Sequence, residues 1–232
     1  MKPSPLIVML IVVTTCGAAS LGYSQSFYPD DIGNRWILES TDKIDVRTVT
    51  IKGPEILNGD ELKIIEDETN GNVSQLFIRT GPDGVMLFRS VVSLPLLGAI
   101  TFDYSPPQVF LPTRIDLGSV WTIESEATIP LAGKIAVTNR AEVVAIEDVT
   151  VPAGTFRNCL KIVQDITIKL TIAELGQTSI MWLAPEVGLV KATNTDAVVF
   201  ELIQLDIAQN EPETAVQPNG KLATTWASIK RR

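Results

Sequence analysis

Apolar and polar residues alternate through Ile44 to Ile51 (IDVRTVTI), Ser74 to Ile78, Trp121 to Ile129, Ala141 to Ile146, Leu160 to Leu170 and Val198 to Leu205, with β-branched residues prominent throughout. A period of two places successive side chains on opposite faces of a pleated strand, so each run predicts a strand with one buried face. Between the runs, Asn58-Gly59, Asn70-Gly71, Asp83-Gly84 and Ala153-Gly154 supply the positive φ angles that tight hairpins need. No stretch of ten or more residues between 25 and 208 carries a convincing helical period. The pattern predicts an all-β protein, an antiparallel sheet curved on itself as an open half-barrel or as two packed layers.

The chain also echoes itself. Asp31 to Ser40 (DIGNRWILES) and Asp116 to Ser125 (DLGSVWTIES) share the Asp, Gly, Trp, Glu and Ser positions. Leu62 to Ile65 (LKII) then matches Leu160 to Val163 (LKIV), and Gly81 to Asp83 (GPD) matches Ala184 to Glu186 (APE), with an offset that grows from 85 to 98 to 103 residues. Matches in constant order with a growing offset are what two copies leave after unequal loop insertions. Pseudo-repeats of about 27–90 and 113–208 are expected, and because a lone meander buries only one face, they should share one core within a single β domain, 25–208. Trp36 and Trp121, inside strand patterns, are expected to plug that core.

Between the expected copies, Val91 to Pro112 (VVSLPLLGAITFDYSPPQVFLP) is apolar yet carries Pro95, Pro106, Pro107 and Pro112. Proline cannot donate to a ladder, so this stretch reads as an apolar crossover that seals an open face or edge of the sheet. A sharper reading makes it a flap over an apolar cavity or a docking surface, with Phe102, Tyr104, Val109, Phe110 and Leu111 as the contacts.

The N-terminus changes the picture by fixing an address. Lys2 precedes an unbroken apolar run of eight residues, Leu6 to Val13, followed by small residues. The run is far shorter than the ~20 residues of a membrane-spanning helix, so residues 1–24 read as a signal helix cut after Ser24 or Ser20. A rival reading makes Cys16 a lipidated N-terminus, although Thr15 stands where such signals carry Gly, Ala or Ser. The net charge of −8 is made more acidic still by loss of a leader whose only charge is Lys2, which argues against a nucleic-acid partner.

Candidate chemistry is sparse. There is no histidine, which excludes imidazole-based nucleophilic machinery and histidine metal sites. Cys159 is the only cysteine beyond Cys16, so no internal disulfide can form once the leader is gone, and among apolar neighbours Cys159 reads as a small buried hydrophobe. Glu66 to Asn72 (EDETNGN) resembles a calcium loop only in composition, since Phe77 stands where the closing Glu should be; a solvated hairpin turn is the better account. No cofactor, metal or catalytic residue is assigned.

Two stretches carry a family resemblance. VTVPAGTFRNCLKIV (Val149 to Val163) and WLAPEVGLVKA (Trp182 to Ala192) resemble the hallmarks of exported bacterial proteins of the domain-of-unknown-function 3108 family, and FYPDDIGNRWILE (Phe27 to Glu39) resembles the usual start of such domains. The resemblance extends over most of the chain up to about Ala208 and departs at Glu186-Val187, where a Pro-Gly-Val order is expected. It implies a β-rich envelope domain akin to the curved half-barrels of lipoprotein carriers, and brings no catalytic residues. Read physically, the first stretch is a hairpin: Pro152 ends a strand, Ala153 and Gly154 turn, and Phe156, Cys159, Leu160 and Ile162 return into the core.

Beyond Ala208, residues 209–220 are polar and proline-bearing, as a linker is, and the tail 221–232 places Leu222, Trp226 and Ile229 on one face of a short helix that could touch a membrane or a partner. The expectation is therefore a non-enzymatic exported protein of the periplasm or the extracellular space, membrane-tethered if Cys16 is lipidated, that binds a lipophilic molecule or an envelope protein. The alternatives are an envelope assembly module with no small ligand and a carboxylate-dependent hydrolase. A binding module calls for an apolar cavity beneath Val91 to Pro112; a hydrolase calls for two carboxylates about 5 to 10 Å apart in a cleft.

Overall fold

A computed structural model describes residues 26–94, 98–129, 133–169, 174–194 and 196–208. The leader, Cys16, the linker and the tail lie outside these residues. Twelve antiparallel strands form among them: β1 (Arg35–Ser40), β2 (Val46–Leu57), β3 (Asp60–Thr69), β4 (Asn72–Gly81), β5 (Gly84–Leu94), β6 (Gly98–Pro112), β7 (Val120–Ile129), β8 (Gly133–Val151), β9 (Gly154–Lys169), β10 (Glu174–Ala184), β11 (Gly188–Thr193) and β12 (Val199–Asp206). They make one sheet in the order β6-β5-β4-β3-β2-β1-β12-β11-β10-β9-β8-β7.

That order is two six-stranded meanders, β1–β6 and β7–β12, joined where β1 pairs with β12 and facing each other where β6 meets β7. The sequence echoes fall at the same place in each half. DIGNRWILES and DLGSVWTIES lead into the first strands, LKII and LKIV lie on the third, and GPD and APE form the turns between the fourth and fifth. The hydrogen bonds repeat as well. Gly33 N–H donates to Ile51 O and Ile51 N–H to Asn34 O, both at 2.9 Å, while Gly118 N–H donates to Val143 O at 2.8 Å and Val143 N–H to Ser119 O at 3.0 Å. In each half the turn glycine has positive φ, +98° at Gly33 and +84° at Gly118.

A closed barrel of about eight strands is just filled by its own side chains. Twelve strands enclose more space, and the interior here is filled at one end only. One rim carries the turns at 58–59, 82–83, 152–153 and 185–187 together with the N-terminal segment 26–34. Close to it Trp36, Leu38, Ile51, Ile78, Val143, Ile162, Leu183, Val190, Phe200 and Leu202 form the main apolar cluster, with Phe27 and Tyr28 packed on it. The segment is clasped across this rim. Glu186 N–H donates to Ser26 O at 2.7 Å, the buried Asn34 donates to Pro29 O at 3.1 Å and accepts from Ala208 N–H at 2.8 Å, and Asp30 pairs with Lys63 Nζ at 3.1 Å. Gly188 is required here: with φ +85°, a Cβ would also lie 3.1 Å from the Trp36 ring.

Two expectations need correction. Val91 to Pro112 is not a crossover outside the sheet: β5 continues to Leu94, and β6 spans Gly98–Pro112 as a ladder partner of β5. The exclusion of proline from central strands holds, because β6 lies at an end of the sheet, where one side of a strand has no ladder to supply. The register jumps between Leu87 and Arg89, so that Tyr104 to Pro107 stand opposite Phe88 alone and Pro106 and Pro107 sit in a bulge, while Pro112 stands opposite Gly84 and Pro95 lies outside the described residues. Likewise Ile44 begins no strand; it lies in the β1–β2 turn, 76% exposed.

Candidate functional site

The end of the barrel opposite segment 26–34 is hollow. A cavity of about 650 Å³ occupies it, inside the range of about 300–1,000 Å³ typical of small-molecule sites. Its upper wall is an apolar cluster that joins the two halves, Ile100 and Phe102 of β6 with Ile135 of β8, flanked by Val92, Val137 and Ile168. Its floor is the top of the main core, including Leu87, Phe110, Ile123, Leu183, Leu189 and Phe200. These side chains alternate inward along their strands, so the period of two that predicted the strands also makes the lining apolar.

Polar groups stand between wall and floor, and most satisfy one another. Ser90 Oγ and Tyr104 Oη share a hydrogen bond of 3.0 Å, and Ser179 Oγ donates to Gln164 Oε1 at 3.2 Å. Asn139 Oδ1 is buried and has no partner among the described residues. Arg47 Nε donates to Asp67 Oδ1 at 3.0 Å and Oδ2 at 3.1 Å, and Nη2 donates to Oδ2 at 2.5 Å. Arg47 and Asp67 are the only charged residues lining the cavity among those described, and they neutralise each other. Burial opposes the Arg47 charge, but the Asp67 carboxylate more than offsets it and holds the guanidinium above its ordinary value. Tyr28 reaches the same wall from the N-terminal segment; burial first, then the Asp67 charge, pushes its hydroxyl well above the ordinary phenol value.

Of the five contacts singled out in the sequence, Phe102, Tyr104 and Phe110 line the cavity. Leu111 lies in the core beside a smaller cleft under segment 26–34, and Val109 lines neither space. Sequence reasoning missed Arg47, Asp67 and Asn139. Asp67 belongs to the acidic patch read as a solvated turn; Asn70 and Gly71 do make that turn, with φ +51° and +78°, but Asp67 faces inward. The period of two was the available signal, since Asp67 shares parity with the inward Ile65 and Thr69.

The two motif stretches build wall rather than chemistry. The β8–β9 hairpin forms as expected, but its two turn residues are Pro152 and Ala153, one position earlier than expected, with Gly154 opening β9 at φ +140°; Cys159, Leu160 and Ile162 are fully buried. Asn158, at φ +53°, lets Cys159 and Leu160 both turn into packing. Burial pushes the Cys159 thiol up to about 11. Trp182 lies between Lys161 Nζ and Lys191 Nζ, 5.2 and 5.7 Å from its ring centre, and donates to Glu147 Oε1 at 2.7 Å.

Residues 108–197 match the DUF3108-like family model. The DUF3108-like stretch runs from within β6 past the end of β11 and contains both motif stretches, while Phe27 to Glu39 lies outside it. No curated protein matches the sequence. Among solved structures, the chain is similar to a "putative lipoprotein" of Parabacteroides distasonis, with 16% identity over 78% of this chain and 99% of that one and a TM-score of 0.43. It is also similar to a "putative exported protein with YmcC-like fold" of Bacteroides fragilis, with 15% identity over 79% of this chain and all of that one and a TM-score of 0.40. The hypothetical lipoprotein YmcC of Escherichia coli stands at 14% identity over 76% and 85% of the two chains, with a TM-score of 0.40.

Proposed function

We propose that the protein is an exported, non-enzymatic binding module that holds a lipophilic molecule inside the barrel. The observation that carries the reading is the cavity of about 650 Å³, walled by Ile100, Phe102, Ile135, Val137 and Ile168 and lying beneath β5 and β6. An apolar cavity of this size offers an apolar ligand dispersion contacts on every side, and the ligand leaves water on entering it. The leader sequence supports a site of action outside the cytoplasm, in the periplasm or beyond, with a membrane tether if Cys16 is lipidated. The paired-acid geometry of a hydrolase gains no support from this wall, whose one carboxylate among the described residues, Asp67, is already forked by Arg47.

Native mass spectrometry of the protein purified from its own envelope tests the reading. A retained mass of a few hundred daltons that organic solvent extracts is the expected result. A clean apo mass, together with no uptake of the neutral fluorophore N-phenyl-1-naphthylamine, would overturn it.

A further inference from the structure

The charge pattern of the cavity goes further than its apolarity and specifies the class of lipid. Resting on the reading that the cavity holds a lipophilic molecule, we infer that it selects uncharged lipids, those bearing a hydroxyl, ester or amide in place of an ionised headgroup, and rejects carboxylates and ammonium ions.

An ionised group brought into a low-dielectric space must find an opposite charge or lose its hydration uncompensated. The cavity offers none that is free. Arg47, its one cation among the described residues, has Nε and Nη2 committed to Asp67, and Asp67, its one anion, has both oxygens committed to Arg47. A ligand carboxylate reaching the remaining N–H groups of Arg47 would meet a cation already neutralised, with the Asp67 carboxylate beside it; a ligand ammonium reaching Asp67 would meet the Arg47 cation in the same way. Either approach brings a third charge to a net-neutral pair, where like-charge repulsion cancels most of the attraction and the lost hydration is left uncompensated. An anion also approaches against the acidic net charge of −8.

A neutral polar group meets the opposite situation. Hydroxyl and amide side chains stand between the apolar wall and the apolar floor, on both sides of the lumen: Ser90 and Tyr104 on one, Asn139, Gln164 and Ser179 on the other. Asn139 carries an acceptor without a partner among the described residues, a state that is costly in a protein interior because the lost hydration is not replaced. Turning that amide toward the lumen would let a ligand hydroxyl or amide N–H satisfy it. An apolar chain lodged against Ile100, Phe102 and Ile135 then brings a neutral polar group to this level.

The test is competition with three twelve-carbon amphiphiles for N-phenyl-1-naphthylamine bound to the full-length mature protein at pH 8. 1-Dodecanol is expected to displace the fluorophore at least tenfold more effectively than laurate or dodecylammonium. In Asp67→Asn, which leaves Arg47 unpaired, laurate should gain at least tenfold relative to dodecanol. Laurate or dodecylammonium matching dodecanol on the wild-type protein would overturn the inference while leaving the cavity as a lipid site; that comparison needs no variant to fold. Failure of the fluorophore to bind at all would overturn the reading on which the inference rests.

Discussion

The two halves of the barrel meet twice, and the two junctions are built differently. In a ring of two six-stranded meanders, the first strand of each half should pair with the last strand of the other. At one junction this happens: β1 and β12 share a ladder from Arg35↔Asp206 to Ser40↔Phe200. At the other, no ladder joins β7 to β6 among the described residues. Side chains bridge the seam instead. Gln108 donates to Glu124 O and accepts from Glu124 N–H, and Trp121 Nε1 donates to Phe110 O at 3.0 Å. The reason is local, because β6 carries Pro106, Pro107 and Pro112, none of which has an N–H to offer a ladder. The difference teaches that one proline-bearing strand can leave a barrel with a slit beside its cavity while its twin junction stays sealed.

The repeated tryptophans give the largest test of that contrast. Trp36 is fully buried, donates to Val187 O at 2.7 Å and packs at a 35° tilt against Tyr28, ring centres 5.9 Å apart, across the sealed rim, whereas Trp121 is half-buried at the seam. Trp36→Ala should cost about 3–5 kcal/mol in urea unfolding, a large share of a typical total stability of about 5–15 kcal/mol. Trp121→Ala should cost about half as much or less, since less area leaves water on folding. Equal losses would mean that the seam is as closed as the ladder, and the contrast would fail.

Alkaline pH supplies a second, smaller probe, read at the thiol of Cys159 near the sealed rim. Its pKa of about 11 in the folded protein lies above the ordinary thiol value, so the unfolded chain loses this proton first as pH rises. Stability from this group is thus complete below about pH 8.5 and falls between there and about pH 11, by about 3 kcal/mol at most. Cys159→Ala should flatten that part of the profile, measured as the urea midpoint between pH 8 and 10.5. A slope unchanged by the substitution would show that Cys159 is not the group responsible, and Tyr28, whose burial also disfavours its charged form, would be the next to test. Ellman's reagent at pH 8 should label Cys159 slowly in the wild type and faster in Trp36→Ala, because the thiol is reached only when the rim opens.

Much of this architecture was legible along the chain, for a physical reason. Strand period, Asn-Gly turns and the Gly-x-x-Trp echoes are local signals, and they located hairpins and matching places in the two meanders, though the first meander runs on through β6 to Pro112, past the expected bound near residue 90. What was not legible depends on register. Arg47 and Asp67 meet only because β2 and β3 pair Val49 with Asp67 and Arg47 with Thr69, a pairing that survives a register shift between Lys52 and Glu55. A shift of one residue would have turned the acid outward, and nothing local forbids it. The proline rule was sound but answered the wrong question: it excludes a central strand, and β6 is an edge. Whether an apolar stretch is an edge strand or a covering loop is decided by what faces it across the barrel, which sequence spacing does not report.

The finest test of the contrast acts on the seam alone. Gln108 forms two hydrogen bonds to the backbone of Glu124 from an exposed position, so Gln108→Ala should cost only about 1 kcal/mol or less of global stability. Its effect should appear in kinetics. If ligands enter between β6 and β7, removing this clamp should raise both the uptake and the release rates of N-phenyl-1-naphthylamine severalfold in stopped-flow fluorescence, with little change in affinity, because the bound and free states gain equal access. The matched change at the other junction, Gln204→Ala on β12, removes a side chain whose hydrogen bonds run to Asp206 of its own strand and should leave both rates unaltered. Equal rates in wild type and both variants would place the entrance at the open rim, near the β3–β4 turn, and reduce the seam to a consequence of proline chemistry without a part in exchange.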